Sequence, residues 1–285
     1  MPKIRKRITF FYALTASLAT LVTVILRTVA LFTEYEAEAG FYASPTLAIA
    51  TAAVLAAVGV GLAAFAYQER EHFVFSSDYR DLPSLVSGVY FAVSLLFFGV
   101  MLLLGARSAA PAALVTAILA ALFAGAGTAP FVLHAFDGRT ASATAAMLTL
   151  PTAAFGVLYA LYLGFESEIM LTSPVKLLST ATWVFATLFF LGEARIALSR
   201  ARWALHLSVT ALTVTLSGTL ALPNLVLHAV EGSSLLFNTA HAFAALGLFL
   251  YAAARLAAIL STPCCGEEAE ATDRKEAQHE EAPGR

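Results

Sequence analysis

The 285-residue chain is 59% hydrophobic and only 13% charged, with a net charge of −2 and a mean hydropathy of +0.79. An ordinary soluble domain carries about 25% charged residues. The balance therefore excludes a water-soluble globular enzyme, a disordered chain and a protein whose field gathers nucleic acid, and leaves a multispanning membrane protein.

A spanning helix needs about 20 apolar residues. Taken in order, the stretches free of Asp, Glu, Lys and Arg predict eight spans, near 8–32, 41–67, 83–106, 109–134, 142–165, 174–197, 203–229 and 233–258. An all-α bundle follows, because a helix satisfies its own backbone polar groups in lipid. The alternating strands of an outer-membrane barrel are absent from the sequence. The first span follows Lys3, Arg5, Lys6 and Arg7 and is too long for a signal-peptide core.

Arg70, Arg80, Arg139, Arg195, Arg200, Arg202 and Arg255 fall on the N-terminal side of the alternating loops, against Arg107 and Lys176 on the other. The positive-inside rule then places both termini in the cytoplasm and the bundle, residues 1–260, in a cytoplasmic membrane. Residues 261–285 hold Glu267, Glu268, Glu270, Asp273, Glu276, Glu280 and Glu281 with little that is apolar, and are expected to be a disordered cytoplasmic tail. The only cysteines, Cys264 and Cys265, are adjacent in it. Neighbouring cysteines rarely bridge each other, so free thiols are expected.

Ionisable groups at membrane depth are costly and mark sites. The sixth span is the informative one. Between Lys176 and Glu193 it offers only Leu177–Gly192, about 24 Å of helix against a hydrocarbon core of about 30 Å. Lys176 must snorkel, or Glu193 must sit inside the interface, or both. Arg195 lies about 200° round the helix from Glu193, so a partner for Glu193 has to come from another helix or from water. Arg27, in the last turns of span one, is expected to snorkel outward or to pair with Glu34 or Glu166, with an anion site as the alternative.

Four histidines remain in or near spans: His134, His206, His228 and His241. A haem would need two on facing helices at equal depth, and three of the four lie near helix ends, so no cofactor is expected. Asn238 and His241 share one face of span eight, with Asn224 on span seven, and are expected to meet across that interface. Pro130, Pro151 and Pro223 fall inside spans; Pro223-Asn224 with Gly218 nearby is read as a place where span seven opens locally. Spans four and seven share a Gly-Thr, a proline and Val-Leu-His-Ala, a candidate internal repeat. No hydrolase, P-loop or metalloprotease motif occurs.

The reading is an eight-span carrier of a small molecule or ion, with a polar site drawn from Arg27, His134, Glu193, Asn224, Asn238 and His241. The alternative is a non-transporting sensor or scaffold, bound to a membrane protein partner, whose bundle has no continuous polar cavity. The lipid bilayer is the partner common to both, and no catalytic residue, metal or nucleic acid enters either.

Overall fold

The computed structural model describes residues 2–36, 41–42, 44, 46–70, 82–137, 143–166, 173–198, 200, 202–231 and 236–261. Among them, nine helices run α1 (Pro2–Thr33), α2 (Thr46–Gln68), α3 (Leu82–Gly105), α4 (Pro111–Ala126), α5 (Ala129–Asp137), α6 (Ala143–Phe165), α7 (Pro174–Ala197), α8 (Trp203–Glu231) and α9 (Leu236–Ser261). The chain is an all-α, multispanning membrane bundle. Eight helical segments are long and apolar enough to cross, α4 and α5 together making the fourth. Eight crossings return the chain to its starting side, so the two ends of the bundle sequence share one face.

Two boundaries differ from expectation. Span two begins at Thr46, five residues late, because Tyr35–Glu36 (β1) and Phe41–Tyr42 (β2) pair as a short antiparallel hairpin. Both carboxylate oxygens of Glu34 accept from the Leu47 amide, at 3.0 and 3.2 Å, and so cap the start of α2. Span four is broken at Gly127-Thr128. Pro130 has no amide to continue the ladder, the Phe131 amide turns to the Thr128 carbonyl at 3.2 Å, and the Gly127 carbonyl it leaves accepts from Thr152 Oγ1 at 2.9 Å. The unwinding expected at Pro223 does not occur: α8 is continuous through it. The two segments of the candidate repeat thus differ in conformation.

Neighbouring helices form a closed circuit, α8–α9–α3–α4–α6–α7 and back to α8, with α1 and α2 laid against α8 from outside. The middle helix, α8, is consequently buried from His206 to Ala221 with Leu212 half-buried. Ser208, Thr210, Thr213, Thr215, Ser217 and Thr219 all lie in that stretch. Each hydroxyl returns its proton to the carbonyl four residues back, which satisfies it in a water-free setting. Two then reach α1, Thr215 meeting Thr20 at 3.2 Å and Thr219 meeting Thr23 at 2.7 Å. Small residues let the ring close. A side chain at Gly156 would strike Thr187 and the Trp183 carbonyl, and one at Gly247 would strike Ser94 and the Phe91 backbone.

Candidate functional site

The axis of the ring is filled by aromatic side chains in two layers. Nearer the end away from the termini, Phe98 of α3, Phe155 and Tyr159 of α6 and Trp183 of α7 surround His241 of α9. Nearer the termini, Phe91, Phe190 and Tyr251 lie almost parallel, with interplanar angles of 8–12°. Phe131 of α5 stands edge-on to all three. Rings at these spacings exclude water and lock the helices laterally. Among the described residues, the buried charged side chains stand toward the two ends of this column.

At the termini end stands Glu193. It is buried in α7, with Oε2 accepting from Arg255 Nη2 of α9 at 2.5 Å and Oε1 3.1 Å from His206 Nε2 of α8. One carboxylate therefore ties three helices. Thr210 Oγ1 lies 3.5 Å from the same imidazole nitrogen, and Phe189 stacks on the ring. His206 Nδ1 has no hydrogen-bond partner among the described residues. It faces Gly192, where any Cβ would collide with it. Burial of the carboxylate is tolerable because a guanidinium neutralises it and both oxygens are hydrogen-bonded.

The other end holds His241 and Arg27. His241 Nε2 accepts from Trp183 Nε1 at 3.0 Å, which fixes the neutral ring with its proton on Nδ1. Arg27 is only 4% exposed. It follows Thr20 and Thr23 on one face of α1, so it points into the bundle and does not snorkel to the surface. The two acidic residues expected to partner it also make contacts of their own. Glu34 caps α2, and Glu166 receives Lys176, whose Nζ donates to the Glu166 carbonyl at 2.5 Å and lies 3.3 Å from its carboxylate.

Of the sequence-predicted site residues, Arg27 and His241 lie toward one end of the bundle and Glu193 toward the other. From His241 to Arg255, the partner of Glu193, is fourteen residues of α9, about 21 Å. Asn224 is half-buried on α8, on the face that Thr213 and Ser217 present. The side chains of His134 and Asn238 lie outside those described. The partner of His241 is Trp183, on a different span from Asn224. Arg255 and His206, the partners of Glu193, were not among the candidate site residues, although Arg255 stands inside an apolar run and His206 lies near the start of the helix that follows Glu193. Among the described residues no three His, Cys, Asp or Glu side chains gather into a metal site.

Comparison with known proteins returns no match, whether to a family model, a curated protein or a solved structure.

Proposed function

We propose that the chain is a non-transporting module of the cytoplasmic membrane, a sensor or scaffold subunit of a membrane complex, with both termini in the cytoplasm. The observation that carries the reading is the filled axis. Stacked aromatic rings separate the Glu193 end from the His241 end, so the polar side chains expected to line one cavity stand at opposite ends of the column. A module of this kind needs a rigid bundle and a partner, and needs no path through its centre. Crosslinking in native membranes followed by purification of the full chain tests it: a stoichiometric membrane protein partner is expected. Proteoliposomes of the purified chain are expected to take up ions and small solutes no faster than empty ones. Uptake above that background overturns the reading.

One observation favours the carrier instead. Glu193, His206 and Arg255 form a buried charged cluster across three helices, the kind of contact that can break and reform as helices shift. The flux assay separates the two readings: a carrier shows uptake that Glu193→Gln abolishes.

A further inference from the structure

Outside the aromatic column, at the end that carries the termini, α7 and α8 part to leave a cavity of about 130 Å³. Its walls divide into two chemistries. Leu188, Leu191 and Leu205 are exposed apolar side chains of spanning helices, a surface made for acyl chains. Above them stand Arg195, in the last turn of α7, and Arg202, just before α8. Both are exposed, and neither forms an ion pair among the described residues. Glu193, two residues before Arg195, is already committed to Arg255 and His206. Among the described residues, two cations therefore face the headgroup level without compensation. His206 lines the same cavity, 4% exposed, and its Nδ1 lacks a partner among the described residues while resting over the gap at Gly192.

We propose that this groove binds one anionic phospholipid, with the phosphate between Arg195 and Arg202 and an acyl chain along Leu188, Leu191 and Leu205. Basic pockets between spanning helices recognise lipid headgroups through such paired cations, and a zwitterionic lipid gains less because its own ammonium competes for the phosphate. The site is independent of whether the bundle transports.

The full chain, purified and delipidated in detergent, is titrated by native mass spectrometry with phosphatidylglycerol, with phosphatidylcholine of the same chains, and with inorganic phosphate. Expected is a preference of about tenfold or more for the anionic lipid, and no comparable binding of inorganic phosphate. R195Q/R202Q is expected to weaken phosphatidylglycerol about 30-fold, the loss of two headgroup-level cations. L205W, on an exposed position of the groove wall, fills the chain seat and weakens it further than it lowers the thermal midpoint. R70Q removes an exposed arginine at the end of α2, stacked on Tyr67, and is expected to leave binding unchanged. Equal binding of the two lipids overturns the proposal. So does a loss in R70Q matching that in R195Q/R202Q, or binding of inorganic phosphate as tight as that of the lipid. All three variants alter exposed side chains, and their melting curves separate a lost site from a lost fold.

Discussion

The energetics of the bundle turn on single ionisable side chains. Replacing Glu193 by Gln leaves Arg255 buried without its counter-charge, and removal of one partner of a buried pair costs about 3–5 kcal/mol. Thermal unfolding of E193Q and R255Q in micelles should show both strongly destabilised. The double variant E193Q/R255Q should lose less than the sum of the two. Additive losses would show that the 2.5 Å contact carries no coupling. The sequence was legible up to a point here. Helix geometry alone says that Arg195 cannot serve Glu193 and that a partner must come from another helix. Which helix is not readable, because a charge near the end of a span looks the same whether it anchors topology or faces inward. Arg255 was read as an anchor on those grounds and is in fact 7% exposed. Arg27, read as snorkelling or pairing with Glu34 or Glu166, is turned into the bundle by the same face of α1 that carries Thr20 and Thr23.

Among the elements, α7 resolves the puzzle its length posed. It looks too short for the membrane when measured between Lys176 and Glu193. Yet Lys176 is buried against Glu166, and Glu193 against Arg255 and His206. The strip that meets lipid runs instead from Leu177 through Val184, Leu188 and Leu191 to Leu198, about 32 Å at the usual rise, and carries only Arg195 near its end. The eight spans were readable because charge-free runs of such length have few other uses. The break at Gly127 and the β1–β2 hairpin were not readable, because each depends on a tertiary partner, Thr152 in one case and strand pairing in the other. Two interfaces give tests. Thr23→Val and Thr219→Val should couple by about 0.6 kcal/mol in a double-mutant cycle, the usual worth of an interhelical hydroxyl pair; zero coupling would mean that packing alone joins α1 to α8. Gly156→Val drives a side chain into Thr187 and the Trp183 carbonyl, so α6 and α7 must part at a cost of about 1–3 kcal/mol, seen as a lowered melting midpoint.

For the molecule as a whole, hydropathy reveals the number of crossings but not their order round the ring. That order is set by which helices carry the glycines, hydroxyls and aromatic rings that fit one another, and single spans rich in Ala and Leu give few clues to it. The side that faces the cytoplasm is open to a direct test. Cys264 and Cys265 follow the end of α9 and are the only thiols. A membrane-impermeant maleimide should label them in inverted vesicles and leave them unlabelled in intact cells. Labelling in cells would reverse the assigned orientation and place Arg195 and Arg202 against the outer leaflet.

The chain holds two tryptophans, Trp183 and Trp203. Trp183 sits at the heart of the outer aromatic layer with its indole proton held by His241, while Trp203 is half-buried at the start of α8. A Trp203→Phe variant thus carries a single built-in fluorophore in the centre of the ring. Its emission should be blue-shifted and inaccessible to aqueous iodide. Any event that parts α7 from α9, whether partner docking, lipid occupancy or a transport step, would register as a red shift, so the folded protein supplies its own optical reporter without a label.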